Sequence, residues 1–205
     1  MKSQEPIVEK AEYEDWRVRM YIEDQHSQGD LNLDRSNLTK LPDNLTINGD
    51  LNLNCCSSLQ SLPNGLEVKG FLNLYGCGKI KQLPVDIKVG EGMDLRGCGI
   101  EQLPTNLTIN GDLFINARHM KLSNNLTVKG SFNIYGANHA KPFPRGLKII
   151  DQLYLNDGWK IHITDLPCDL KAGNILAQNF TNGDAQEYLT YCKLKTKLPE
   201  LEDIL

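Results

Sequence analysis

The chain has 205 residues, of which 40% are hydrophobic and 23% charged, a composition typical of a folded protein that argues against disorder over most of its length. No segment approaches the roughly 20 consecutive apolar residues that a membrane-spanning helix needs. The formal net charge of −4 argues against a general binder of nucleic acids or anionic membranes, because such proteins need a concentrated basic surface.

The N-terminal segment is polar and lacks the apolar core of a secretory signal peptide. We therefore expect a cytoplasmic protein, or one delivered directly into a host cytoplasm. Tyr13, Trp16 and Met20 stand at positions i, i+3 and i+7, which predicts a short amphipathic helix ahead of the first repeat. Since exposed strand edges recruit other chains, we expect residues 1–28 to form a helical cap, or else a small interaction element.

A repeat dominates the sequence that follows. The dipeptide Leu-Pro, or a close equivalent, returns every 19 to 23 residues, and the same spacing of aliphatic residues follows each copy. Such self-similarity is typical of a solenoid, in which each coil buries its apolar edge against its neighbours. The markers are Leu41-Pro42, Leu62-Pro63, Leu83-Pro84, Leu103-Pro104, Leu122-Ser123, Phe143-Pro144 and Leu166-Pro167.

Within one repeat the aliphatic residues alternate, which is the periodicity of a strand. Leu45, Ile47, Leu51 and Leu53 are expected to point inward, and Gly49 takes the inward position between the two pairs. A residue without Cβ permits a sharp bend and a close approach of neighbouring coils, so we predict two short strands per coil joined at a glycine corner. Equivalent corners fall at Gly70, Gly111 and Gly130, whereas Glu91 and Asp151 break the pattern and require corners of different construction.

The segment Leu51–Pro63 combines Leu-x-Leu-x-x-Cys with Leu-x-x-Leu-Pro and resembles a leucine-rich repeat of the short bacterial type, whose units carry Leu-Pro-x-x-Leu. The resemblance covers about residues 29–170 and rests on the number of copies. Units of that family place one strand on the concave face, whereas the Leu45-x-Ile47-x-Gly49 insertion predicts a second strand on the opposite side. A flatter, two-sided solenoid is therefore expected in place of a strongly curved horseshoe.

The predicted fold class is mainly β: a leucine-rich-repeat-like parallel β-solenoid of about seven coils, with short helical caps. The expected organisation is an N-terminal cap at 1–28, the solenoid at 29–178 and a C-terminal helical cap and tail at 179–205. In the last segment Ala185, Tyr188, Leu189 and Cys192 share one helix face.

Cys56, Cys77 and Cys98 are each one repeat apart, so they are expected to stack on successive coils. Three thiols in a line about 4.8 Å apart do not suit tetrahedral zinc, and a structural ladder is the favoured interpretation. The leucine-rich-repeat resemblance implies that this position is buried and bonds to neighbouring backbone. We expect all six cysteines to be reduced, and no metal or cofactor.

Motifs for catalysis are missing from the sequence. It contains no Gly-x-Ser-x-Gly, His-Glu-x-x-His or phosphate-binding loop, and nothing beside His119 or His139 supplies the carboxylate that a ligating histidine usually has. We therefore expect a protein that is not an enzyme.

The outward positions of the Leu-x-Leu strand combine aromatic residues, asparagines and one arginine, the residue types that anchor protein contacts. The other predicted strand is plainer and more basic, with Lys69, Lys88, Lys129 and Lys148. The candidate partner-binding residues on the Leu-x-Leu strand are Asn52, Asn54, Asn73, Tyr75, Asp94, Arg96, Phe114, Asn116, Asn133, Tyr135, Tyr154 and Asn156.

The predicted function is non-catalytic binding of another protein through this face, with no membrane partner. Similar bacterial repeats occur in secreted effectors and in phage-borne proteins, so the resemblance implies an effector that inhibits a host protein. The alternative is a nucleic-acid-related protein, either a binder through the lysine-bearing face or an acidic mimic. A carbohydrate-active β-helix ranks last, because Asp94 is the single carboxylate on the aromatic strand face.

Overall fold

A computed structural model describes residues 16–23, 29–118, 120–135, 143–155 and 166–177. The chain is mainly β and winds into a parallel β-solenoid of about six turns with about 21 residues per turn. The predicted solenoid fold is thereby confirmed.

The described elements are one helix and a series of short strands, and the two-residue strands reflect coils that bend twice within each turn. They are α1 (Trp16–Glu23), β1 (Leu31–Asn32), β2 (Thr46–Ile47), β3 (Leu51–Asn52), β4 (Glu67–Val68), β5 (Leu72–Asn73), β6 (Lys88–Val89), β7 (Met93–Asp94), β8 (Thr108–Ile109), β9 (Leu113–Asn116), β10 (Thr127–Val128), β11 (Phe132–Tyr135), β12 (Lys148–Leu155) and β13 (Lys171–Ala177).

The Leu-x-Leu strands stack in register along one side of the solenoid. We call this array the Leu-x-Leu sheet; its order is β1, β3, β5, β7, β9, β11 and then the C-terminal half of β12, which pairs with β13. All pairs are parallel, and Leu51 pairs with Leu72, which pairs with Met93. Each inward side chain therefore lies on the equivalent side chain of the next coil, so burial of one aliphatic ladder stabilises the stack.

The predicted second strand of each coil is also present. We call its array the second sheet: β2, β4 and β6 in one part, and β8, β10 and the N-terminal half of β12 in the other. Between the two parts the Asn110 amide donates to Val89 O at 3.3 Å, and a side chain thus bridges β6 and β8 where the strands do not pair.

The two sheets enclose one aliphatic core. Leu53, Leu74 and Leu95 are no more than 1% exposed, and the outer leucines of the Leu-Pro markers, such as Leu62 and Leu103, are buried as well. A closed ring of apolar side chains thus fills each coil from the two sheets and the Leu-Pro segment.

The glycine corners join the sheets, and neighbouring coils meet there at backbone distance. A Cβ on Gly70 would collide with Asp50 Oδ1 and lie 2.8 Å from the carbonyl carbon of Gly49. The N–H of Gly70 donates to Gly49 O at 3.0 Å, and the same ladder passes through Glu91, whose N–H donates to Gly70 O at 3.2 Å. The prediction that glycine permits close approach of the coils is confirmed.

Aspartates beside the corners link one coil to the next. Asp30 Oδ1 accepts the N–H of Asp50 at 2.8 Å, and Asp50 Oδ1 accepts the N–H of Phe71 at 2.7 Å. Asp112 Oδ1 accepts the N–H of Ser131 at 2.7 Å. Each carboxylate pairs with a backbone donor that would otherwise point toward water at the bend.

The corners at Glu91 and Asp151 are built differently from the glycine corners. Gly90 and Gly92 flank Glu91, and a Cβ on either would collide with a carbonyl oxygen of a neighbouring coil, so the required small residues have shifted by one position. At Asp151 the chain does not break, because β12 runs through the corner as an eight-residue strand that belongs to both sheets.

Helix α1 lies against the edge of the first coil. Val18 is 3% exposed, whereas Met20 is 54% exposed, so the predicted buried face at Met20 is wrong. The reason is the docking angle: the Tyr21 hydroxyl donates to Gly29 O at 3.1 Å and accepts the N–H of Asn48 at 2.9 Å, which turns Val18 and Tyr21 toward the coil. The Tyr21 hydroxyl thereby forms hydrogen bonds with two backbone groups at this edge of the solenoid.

The predicted C-terminal cap lies outside the described residues. The proposed domain boundaries at 28 and 178 therefore remain predictions from the sequence. Within the described ranges no helix is long and apolar enough to cross a membrane.

Candidate binding face

The outer surface of the Leu-x-Leu sheet follows from strand alternation. Leu72 and Leu74 are fully buried, and the residues between and after them, Asn73 and Tyr75, face outward. Tyr75 is 45% exposed, which is unusual for a large aromatic side chain. In-register pairing then places the outward side chains of successive coils in rows across the sheet.

Arg96 gathers three aromatic rings on this surface. Its Cζ atom lies 5.3 Å from the ring centroid of Tyr75, 5.4 Å from that of Phe114 and 4.9 Å from that of Tyr135. A guanidinium within about 6 Å of an aromatic centroid makes a favourable cation–π contact. We call Tyr75, Arg96, Phe114 and Tyr135 the aromatic–arginine cluster; its members come from four consecutive coils.

Asp94 does not face solvent, contrary to the expectation for this strand position. Asp94 is 6% exposed. Its carboxylate accepts hydrogen bonds from Arg96 NH2 at 2.6 Å and from Arg96 Nε at 3.0 Å and 3.1 Å. The fork of donors on the guanidinium matches the two carboxylate oxygens, and Arg96 therefore covers Asp94. The hydrogen bonds that Arg96 donates to Asp94 also raise the pKa of Arg96 above its ordinary value, so the guanidinium stays charged.

The outward asparagines accept backbone hydrogen bonds in the turns that end the strands. Asn52 Oδ1 accepts the N–H of Asn54 at 3.0 Å, and Asn73 Oδ1 accepts the N–H of Tyr75 at 3.0 Å. Asn116 repeats the arrangement with a later turn, at 3.2 Å. These are Asx turns, which end each strand by replacing a backbone acceptor with a side-chain oxygen. Asp94 Oδ1 does the same for the N–H of Arg96 at 3.0 Å.

Amide side chains also link the first coils. Asn52 Nδ2 donates to Asn32 Oδ1 at 3.2 Å, and Asn54 Nδ2 donates to Asp34 Oδ1 at 2.6 Å. The N-terminal part of the face is thus a polar ladder whose members bond to one another.

The remaining predicted face residues lie in later coils. Asn133 is half-buried and pairs with Phe114 and Tyr154 in the register of the sheet. The Tyr154 hydroxyl donates to Gln152 Oε1. Asn156 lies outside the described residues. The predicted face therefore consists of two rows of aligned residues, and close aromatic packing is concentrated around Arg96.

Phe71 belongs beside the cluster and was missing from the predicted face. Its ring meets that of Phe114 edge to face, with centroids 6.3 Å apart and an interplanar angle of 64°. Phe71 follows the corner Gly70, a position at which Asp50 and Asp112 follow their own glycines. The exchange of a carboxylate for an aromatic ring at that repeat position is the sequence signal that marks it.

The cysteine ladder lies beneath the Leu-x-Leu sheet, as predicted. The thiols of Cys56, Cys77 and Cys98 donate to Leu33 O at 3.1 Å, Leu53 O at 3.1 Å and Leu74 O at 2.9 Å. Burial, reinforced by the neighbouring thiol, raises the pKa of both Cys77 and Cys98 to about 12. The thiols of Cys77 and Cys98 therefore stay protonated near neutral pH, the form that is a poor nucleophile.

Cys55 has a separate role at the end of its strand. It adopts a left-handed backbone with φ of 56°, and the equivalent residues of the next two coils are Gly76 and Gly97. No disulfide joins the cysteines of the described residues, which are Cys55, Cys56, Cys77, Cys98 and Cys168.

The second sheet presents a different surface. Lys69, Lys88, Lys129 and Lys148 are all exposed, and Lys88 Nζ lies 3.6 Å from Glu67 Oε2. In the register of the sheet Lys88 follows Thr46 and Glu67, and Lys148 follows Thr108 and Thr127, so positive charge is spread along the solenoid.

Two grooves of about 680 and 660 Å³ run along the Leu-Pro segments that close the coils. Gln82 lines both; leucines and prolines of the Leu-Pro segments contribute to the wall of the first, and Lys81, Glu101 and Lys121 to the wall of the second. The aromatic–arginine cluster lies outside these grooves, on the open face of the Leu-x-Leu sheet.

No cluster of three or more histidine, cysteine, aspartate or glutamate side chains in the described part of the chain is placed to hold a metal ion. The four histidines lie outside that part.

Comparison with known proteins gives no relative: no protein family, no curated protein and no solved structure matches the chain. The resemblance to leucine-rich repeats therefore remains a prediction from the residues themselves.

Proposed function

We propose that this chain is a non-catalytic protein-binding module that uses the outer surface of the Leu-x-Leu sheet. The observation that carries the proposal is the aromatic–arginine cluster, in which one guanidinium packs against three rings drawn from separate coils. Tyrosine and arginine are enriched among the residues that dominate the energy of protein interfaces.

The side chains of the cluster are also preorganised for binding. Because the rings already pack on Arg96, and Arg96 is held by Asp94 through three short hydrogen bonds, little side-chain freedom remains to be lost when a partner binds. A parallel β-sheet beneath the cluster keeps the four contributing coils at fixed spacing.

The leucine-rich-repeat resemblance of residues 29–170 extends the proposal. We propose membership of a bacterial-type repeat class and a role as a phage or bacterial effector, acting in the cytoplasm of its own or a host cell by inhibiting a host protein. This part of the proposal rests on the Leu-x-Leu-x-x-Cys and Leu-Pro segments of the sequence.

The test is affinity capture from the source cell and its candidate host. The full chain is compared with a variant that carries Tyr75→Ala, Phe114→Ala and Tyr135→Ala. We expect the variant to lose a specific partner that the native chain retains, with at least about a tenfold loss of affinity, since truncating several anchors costs more than about 1.4 kcal/mol.

A matched control removes side chains from the opposite surface. Lys69→Ala, Lys129→Ala and Lys148→Ala change three exposed residues of the second sheet, so this variant should fold and keep the partner. The proposal fails if the ring variant retains its fold by circular dichroism and still captures every partner of the native chain.

The exposed lysines favour one second candidate, binding of nucleic acid through the second sheet. A titration with duplex DNA and with single-stranded RNA distinguishes it. Binding through lysines weakens steeply as salt is raised, because it depends on counterion release, and it should disappear in the lysine variant and survive in the ring variant.

A further inference from the structure

Several polar atoms around the aromatic–arginine cluster form hydrogen bonds within the chain. The Oδ1 atoms of Asn73, Asp94 and Asn116 accept backbone hydrogen bonds in Asx turns. Arg96 directs Nε and NH2 at the Asp94 carboxylate. Tyr75, which is 45% exposed, is the most exposed member of the cluster and offers its ring for contact.

The charge of Arg96 is compensated in the same way. Arg96 NH2 lies 2.6 Å from Asp94 Oδ2; the Asp94 side chain is 9% exposed and the Arg96 side chain 33% exposed. The opposite charges of so close a pair largely cancel at a distance, so the pair presents little net charge to a partner. The positive charge that the sequence places on this face is therefore neutralised inside it.

We infer that the aromatic–arginine cluster receives an uncharged, apolar segment of the partner protein, such as a proline or aliphatic side chain stacked on Tyr75, and that Arg96 is a positioning residue whose charge does not contact the partner. This inference rests on the proposed function and adds the chemistry of the partner to it. Charge complementarity favours such a segment, since a patch with little net charge offers no counter-charge to offset the water that a charged group would lose.

The repeat itself supplies a variant that separates charge from structure. Asp94→Asn keeps the Asx-turn acceptor, because Asn52 and Asn73 occupy the same position in earlier coils and make the same bond. The substitution removes the carboxylate and leaves the Arg96 guanidinium without its counter-charge. The coil is therefore expected to fold while the patch becomes positive.

The experiment uses the full chain, carbon-13 labelled in its aromatic rings, and three capped amino acids as probes: the methylamides of N-acetyl-proline, N-acetyl-aspartate and N-acetyl-arginine. The ring NMR signals of Tyr75, Phe114 and Tyr135 are followed at about 0.1 M and about 1 M salt, where the screening length falls from about 10 to about 3 Å. We expect the proline probe alone to shift the Tyr75 signals of the native chain, equally at both salt concentrations.

In Asp94→Asn we expect the aspartate probe to shift the same signals at low salt, with an affinity that drops by about fivefold at high salt, the size of an ion pair near 4 Å in water. The inference is overturned if the aspartate or arginine probe shifts the native rings in a salt-dependent way, or if no probe shifts them. Should Asp94→Asn not fold, the native titration alone decides.

Failure of this inference is distinguishable from failure of the proposed function. If the ring-to-alanine variant loses the captured partner but the native complex weakens steeply with salt, the face binds a partner and the neutral contact is wrong. If the ring variant keeps its partner, the proposed function itself is wrong, whatever the probes show.

Discussion

The Leu-x-Leu sheet and the second sheet lie on two sides of one aliphatic core, and they differ in continuity and in outer chemistry. The Leu-x-Leu sheet runs unbroken from β1 to β13, whereas the second sheet is interrupted between β6 and β8. Outward residues of the first are aromatic rings, amides and an ion pair, and those of the second include threonines, lysines and Glu67. The inner residues are alike because packing between coils dictates them, so the two sheets differ in the chemistry of their outer rows.

The largest expected effect is the loss of stability that follows truncation of a side chain in the core. Leu74→Ala, on the Leu-x-Leu side, should lower the free energy of unfolding by about 2–5 kcal/mol, because it opens a cavity between two coils at a fully buried site. Val68→Ala, on the second-sheet side, removes fewer methyl groups and should cost less, about 1–2 kcal/mol. Urea unfolding followed by circular dichroism measures both.

One cooperative transition in both variants would show that the two sheets share a core. Two separate transitions, or no loss at Val68, would contradict the description of a single core and make the second sheet an independent layer.

The next effect concerns the corner between the sheets. Gly70→Ala should destabilise the fold by about 1–3 kcal/mol, since the new Cβ collides with Asp50 Oδ1 and with the Gly49 backbone, which cannot yield as a flexible side chain does. Thermal unfolding measures the change.

Gly29→Ala is the matched control at the equivalent corner of the first coil. No atom lies within 4 Å of a Cβ placed there, so this variant should be nearly neutral. Equal losses at the two glycines would mean that backbone flexibility, and not the approach of neighbouring coils, sets the requirement for glycine.

The smallest effect falls at the interruption of the second sheet. Asn110→Ala removes the side-chain bond to Val89 O and should cost about 0.5–1 kcal/mol, the usual net value of one hydrogen bond. Amide hydrogen exchange should become faster at Gly111, which bonds to Glu91 O in the adjoining corner. Lys69→Ala is the comparison, because it holds the equivalent position in a paired part of the sheet, and exchange there should not change.

The sequence predicted the features that follow from period and residue size. Aliphatic alternation placed Leu53 and Leu74 inside, the missing Cβ placed Gly49 at a corner, and a spacing of one repeat placed Cys56 above Cys77. Each depends on repetition, which multiplies a weak signal in one coil into a strong one over many.

Features that depend on a single coil were not predictable in the same way. Asp94 was expected at the surface, because alternation states the side of the sheet but not whether a neighbour such as Arg96 folds back over it. The outward asparagines suggested partner contacts, yet an amide that ends a strand and an amide that binds a partner look identical in sequence. The face of α1 was misjudged at Met20, since docking on the first coil, and not helix periodicity alone, orients it.

The corner carboxylates give the solenoid a direction. In each bond the acceptor belongs to an earlier coil and the amide donor to a later one, as in Asp30 with Asp50 and Asp112 with Ser131. A nascent chain leaving the ribosome N-terminus first would therefore present the carboxylate acceptors of one coil before the following coil is synthesised. Growth by one coil at a time, templated from α1 onward, is the folding order to which this asymmetry is suited.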